Sequence, residues 1–248
     1  MSNLAAELKT NYLKFRANLR KDFAAADKAI DPDGKSFLDA YQRIASMNAW
    51  RADVLVSIID SGVIGFILEA QNDAISSLAF ATVGAWRTSL QCLRSAIENT
   101  LMGLYFADHL VEHKLWSMGR YKIGFTALCD YFNSHPAHQG LPNSLDPIPS
   151  LKAEYDTLSS AVHGRAPFRM TKDAASTVVC DPSIALRGAY LTRQRETLRC
   201  LTLLNLMLFS SHLQGTKQQE LRKLLSHMLS NQSKGIIRAH YKVILSST

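Results

Sequence analysis

Helices alone should build this chain. Apolar residues recur at mostly three- and four-residue steps along it, the period of one helix face, and helix-starting and helix-stopping residues punctuate the runs. No stretch reads convincingly as sheet, and Thr177-Val178-Val179 is too short to claim as a strand. The pattern predicts an all-α protein, a multi-helix bundle with one long central helix, with residues 1–248 forming a single helical domain.

Residues 2–30 read as one helix. Leu4, Leu8, Phe15, Leu19, Phe23 and Ile30 form a heptad-like seam that buries itself on a partner subunit or on the chain's own core. Asp31-Pro32-Asp33-Gly34 is a turn, and Ser36 with Asp39 caps a second helix through Phe37, Tyr41, Ile44 and Trp50 towards Ile59. Ser61-Gly62 breaks the pattern before a helix over about residues 63–81. The central helix spans Gly84 to His113, and past Thr100 its apolar residues spread around the circumference, so it should be packed on several sides. A short amphipathic helix over 120–133, a proline-rich loop from His135 to Pro149 and a helix over 150–162 closed by Gly164 follow. Asp181 as N-cap with Pro182 at the first helical position opens a helix that runs to about Gln214 and stops at Gly215. Thr216 and Gln219 make a capping box for 216–230 before a basic tail, so 216–248 reads as basic C-terminal helices.

Composition narrows the class. The longest nearly apolar run, Leu101 to Ala107, falls far short of the ~20 residues of a membrane span. The first residues lack a signal-peptide core, and Cys92, Cys129, Cys180 and Cys200 show no C-x-x-C spacing. A soluble, cytoplasmic protein without membrane attachment, cofactor or metal is expected. Net charge is +7, and residues 164–248 carry 13 Lys or Arg against 4 Asp or Glu, while residues 1–163 carry 15 against 17. That footprint suits phosphate backbones, RNA more readily than DNA, or an acidic protein partner; a solvated basic face is the plainer reading.

Two constellations bear on chemistry. Arg94 and Glu98 stand four apart on the apolar central helix, a costly pair to bury unless fully satisfied, and so a structural lock or part of a site. Tyr155, Ser159 and His163 share a face of a later helix, with His163 at the negative end of its dipole and Arg165 just beyond. These groups are candidates for ligand or phosphate binding; the plainer reading is a histidine stabilising its own helix end and Ser159 bonding back one turn.

Arg94-Ser95-x-x-Glu98 followed by Tyr155-x-x-Leu158-Ser159-x-x-Val162-His163 resembles uncharacterised all-helical bacterial proteins grouped loosely with the HEPN superfamily, over about residues 84–215. The resemblance implies a HEPN-like bundle, a place in antiviral defence, toxin–antitoxin or abortive-infection modules, and assembly as a homodimer or as a subunit of a larger complex. Catalytic HEPN proteins are metal-independent ribonucleases with Arg-x(4–6)-His, in which the His moves a proton at the 2′-hydroxyl and the Arg holds the phosphate. The match here is Arg222 with His227. It departs from that pattern in Lys223, where a small polar residue is usual, and five residues set the two side chains about 140° apart on a regular helix. Chance spacing in a solvated helix gives the same motif.

His109-Leu-Val-Glu112-His113 matches the order of an inverzincin zinc site, but that fold needs strands this sequence lacks, so a polar end to the central helix is favoured. There is no phosphate-binding glycine loop, nucleophile elbow or dinucleotide fingerprint. Trp50, Trp86 and Trp116 lie on apolar faces and read as core. The expected function is a component of a bacterial defence or toxin module acting on or beside nucleic acid, as a nuclease if Arg222 and His227 cooperate. The alternatives are an adaptor that binds partner proteins and a nucleotide or second-messenger sensor in the Arg94–His163 region.

Overall fold

The computed structural model describes residues 2–32, 34–164, 180–215 and 218–245. These form α-helices without a strand among the described residues: α1 (Ser2–Ile30), α2 (Leu38–Asp53), α3 (Ile64–Thr82), α4 (Trp86–Asp108) and α5 (Leu110–Ser117), then α6 (Phe125–Ser134), α7 (Ile148–Val162), α8 (Ile184–Phe209), α9 (Gln219–Met228) and α10 (Asn231–Tyr241). No helix among them is long and apolar enough to cross a membrane.

The hairpin of α3 and α4 is the spine. Small residues on the buried face of α3 (Ala70, Ala74, Ser77 and Ala81) let α4 come close, and Gly103 of α4 completes the fit. A Cβ at Gly103 would stand 2.9 Å from Ile67 Cδ1 and 3.0 Å from Phe66 Cβ. Gly84 turns the chain between the helices at φ +73°, a conformation that disfavours other residues. α7 and α8 pack on α4, while α2 bridges α3, α8 and α9. From Cys200 to Met207 every residue of α8 is buried, because neighbours surround that half of the helix. One cluster of buried apolar side chains draws on every helix except α5.

Several boundaries differ from the sequence expectation. The central helix stops at Asp108 instead of reaching His113. The His109 ring stacks on Tyr105 (4.1 Å between centroids, 9° between planes) and its Nδ1 meets the Tyr105 carbonyl at 2.9 Å. That carbonyl is the one a continuing helix would offer to the His109 amide, which bonds to Phe106 O instead. Asp31, not Ser36, serves the start of α2, accepting from the Ser36 and Phe37 amides at 2.9 and 3.3 Å. The N-cap of α8 is Ser183, whose hydroxyl accepts from the Leu186 amide; Asp181 accepts from the Ser183 amide one turn earlier. Residues 120–124 are not helical, and α8 ends at Phe209 in a 3₁₀ turn over Ser210–Leu213. Thr216 lies outside the described residues, and α9 opens from Gln218 at φ +55°. The basic tail folds into α10, capped by Ser230, and seats Ile237, Val243 and Leu245 in the core.

Candidate functional site

Four of the expected residues meet where α4 faces α7. The four-residue spacing on each helix lines up Arg94 with Glu98 and Tyr155 with Ser159. Arg94 Nη2 lies 3.0 Å from Glu98 Oε1 and donates to the Tyr155 hydroxyl at 2.5 Å, while its Nε donates to Ser159 Oγ at 3.1 Å. The Tyr155 hydroxyl in turn donates to Glu98 Oε1 at 2.6 Å. The guanidinium carbon sits 4.7 Å from the centroid of the Tyr155 ring, whose geometry is held by Phe125 stacked on it at 3.6 Å. The ion pair is not buried as its apolar surroundings suggested: the Arg94 and Glu98 side chains are 24% and 35% exposed, which lightens the desolvation cost. Burial and then the Glu98 carboxylate push the Tyr155 phenol up to about 12, so it stands as a neutral donor at physiological pH. Beside this cluster a cavity of about 480 Å³ is bordered by Ser95, Glu98, Asn99 and Phe125. Asn99 is fixed by donating to Asp73 at 2.8 Å; burial raises the Asp73 carboxyl above its ordinary range.

His163 does not join this group. It is exposed at the C-cap of α7, and the carbonyls there are satisfied by Arg87, whose Nε and Nη2 donate to Ala161 O and Val162 O at 3.0 and 2.9 Å. Arg87 went unnoticed in the sequence, although it stands seven residues before Arg94 and so on the same face of α4. Arg165 lies outside the described residues. A second unanticipated pair is Glu154 of α7 with Arg193 of α8, 2.6 Å apart, the carboxylate buried and its other oxygen without a partner. Burial raises the Glu154 carboxyl, against the opposing pull of Arg193.

Arg222 and His227 are not brought together. Arg222 Nη1 donates to the Gly215 carbonyl at 2.6 Å, whereas His227 borders a separate cleft with Asp39, Gln42 and Arg43. His109 and His113 belong to an aromatic cluster with Tyr105, Phe66 and Trp116, and no metal-holding group of His, Cys, Asp or Glu occurs among the described residues. Trp116 is 39% exposed at the edge of that cluster, unlike buried Trp50 and Trp86. No known protein family, characterised protein or solved structure matches the chain.

Among the described residues, α1 carries a run of exposed apolar side chains on one face. Ala26 and Ile30 are buried, but Leu4, Leu8, Tyr12 and Phe15, on the continuation of the same stripe, are each more than half exposed. Lys9, Arg16 and Arg20 flank this stripe on one side and Lys14 and Lys21 on the other; no acidic residue lies between Lys9 and Lys21. Arg16 lies over the Tyr12 ring, and the other four make no ion pair among the described residues. The cations of the last third are more engaged. Arg187 donates to Ile30 O, Arg193 pairs with Glu154, Arg199 with Glu196, Lys223 with Glu220, and Lys242 donates to Ala239 O.

Proposed function

We propose that this chain is a non-catalytic interaction subunit of a bacterial defence or toxin module, which docks through α1 onto an acidic, amphipathic helix of a partner protein. One observation carries the reading: the apolar stripe that anchors α1 to the core at Ala26 and Ile30 runs on, exposed, through Phe15, Tyr12, Leu8 and Leu4 between two rows of cations that make no ion pair among the described residues. An apolar seam with charged flanks is the pattern by which helices pair, and the flanking charges choose the partner. A second copy of α1 would set cations against cations. An acidic helix would cover the seam and meet both rows, with electrostatic attraction expressed mainly in the association rate and its salt dependence. The hydrogen-bonded Arg94–Glu98–Tyr155–Ser159 group then serves as the lock between α4 and α7 that holds the platform rigid.

The probe is a synthetic helical peptide with a leucine seam flanked by glutamates, beside a control with lysines in place of the glutamates. Fluorescence anisotropy is expected to show binding of the acidic peptide alone, weakening with salt. A Leu8→Asp/Phe15→Asp variant should lose at least tenfold in affinity while melting within a degree or two of wild type. Equal binding of both peptides, or a dimer that the variant dissolves, would overturn the choice of partner. Ribonuclease activity of the pure chain, abolished in an Arg222→Ala/His227→Ala variant, would overturn the non-catalytic reading. RNA binding insensitive to Leu8→Asp/Phe15→Asp would move the function away from the seam.

A further inference from the structure

Away from α1, a cavity of about 430 Å³ opens between the first turns of α4, the middle of α7 and the first half of α8, within the size range of small-molecule sites. Trp86, Leu90 and Tyr190 are buried and form its floor, and Leu186 adds a wall. The polar ends of the two aromatic residues are turned away and satisfied: the Trp86 indole N–H donates to Asp181 O at 2.7 Å, and the Tyr190 hydroxyl meets Ser77 Oγ at 3.1 Å. Their rings therefore offer only apolar surface. Thr157 and Thr192, at the edge, donate their hydroxyl protons to Ala153 O and Gly188 O within their own helices.

Among the described residues, the donors left over at this cavity belong to two guanidiniums. Arg87 uses Nε and Nη2 on the end of α7, leaving Nη1; Arg193 uses Nη1 on Glu154, leaving Nε and Nη2. Each is held in place by the bonds it already makes, so donors are set at the border of an apolar hollow before anything binds. Glu154 offsets one of the two positive charges, which leaves one to be matched. Gly188 supports the same reading. It lies inside α8, where glycine is a poor helix former, and a Cβ there would meet nothing within 4 Å. No described neighbour requires glycine, and a larger side chain here would have room to extend into the cavity that Gly188 lines.

We propose that this cavity binds an amphipathic organic monoanion, an aliphatic or aryl carboxylate whose chain or ring lies on Trp86, Leu90 and Tyr190 and whose head group meets Arg87 and Arg193. The inference is independent of docking through α1. Decanoate is the probe, with 1-decanol as its uncharged counterpart and decylamine as its cationic one, each displacing the fluorescent aryl sulfonate 8-anilinonaphthalene-1-sulfonate from the intact chain. Decanoate is expected to bind one saturable site at least tenfold more tightly than decanol, and decylamine more weakly still. Gly188→Leu, which fills the cavity from the helix, should lose decanoate binding by tenfold or more while melting no lower than wild type. Decanol or decylamine binding as tightly as decanoate would overturn the charge assignment, and a folded Gly188→Leu chain that binds decanoate unchanged would overturn the location. If Gly188→Leu does not fold, the three-ligand comparison on the unaltered chain still decides, since an absence of saturable decanoate binding there refutes the proposal.

Discussion

At the scale of single residues, the Glu154–Arg193 ion pair and the Tyr155 phenol differ in what they ask of the fold. Glu154 is buried with one oxygen unpartnered, so removing Arg193 strands a carboxylate, whereas replacing Glu154 by glutamine removes the charge itself. Arg193→Met should cost about 2–3 kcal/mol, discounted because Arg193 is a third exposed, and Glu154→Gln about 1 kcal/mol, measured by urea unfolding. The sign with pH follows. A carboxyl raised in the folded state contributes most below the ordinary glutamate range and less as pH rises through its raised value, so Arg193→Met should recover stability on acidification. Tyr155 carries the opposite end of the scale. Its phenol is raised from 10 to about 12 on folding, so its share of stability is complete below pH 10 and disappears as pH climbs towards 12. The stability gap between wild type and Tyr155→Phe should narrow across that interval; a gap independent of pH would contradict the hydrogen bond to Glu98.

At the scale of elements, the helices were legible where a glycine had to adopt positive φ. Gly84, Gly164 and Gly215 all do so, and each marks a boundary visible in the sequence. Where a boundary depends on a side chain reaching its own backbone or a neighbouring turn, local rules failed. The His109 ring ending α4 and the Asp31 carboxylate opening α2 are of that kind. The meeting of Arg94 and Glu98 with Tyr155 and Ser159 was foreshadowed by matching four-residue spacings, while Arg87 was not, because its role lies in an end of α7 seventy-four residues away. The seam of α1 was readable as a seam, but not that only its last turns rest on the core. That division underlies the expected behaviour of Leu8→Asp/Phe15→Asp: residues already in water contribute little to folding, so their replacement should alter association and leave melting unchanged.

For the whole molecule, the all-helical architecture followed from hydrophobic period, whereas the distribution of usable charge did not. Sequence counts place the surplus of cations in residues 164–248, yet many of those described there bond to carbonyls or acids of the same chain. The cations of α1 that make no ion pair among the described residues are gathered along one helix. Net charge by segment says how many cations exist; only the fold says which still lack a counterion.

The first turn of α4 grips the chain twice. Arg87 holds the end of α7 just before residue 165, and Gly84 O and the Trp86 indole hold both backbone groups of Asp181 just after residue 179. The end of α7 and the approach to α8 are thus held by the same turn of α4. Arg87→Met should therefore release the end of α7 from the first turn of α4 and lower the urea midpoint, while the Asp181 contacts persist.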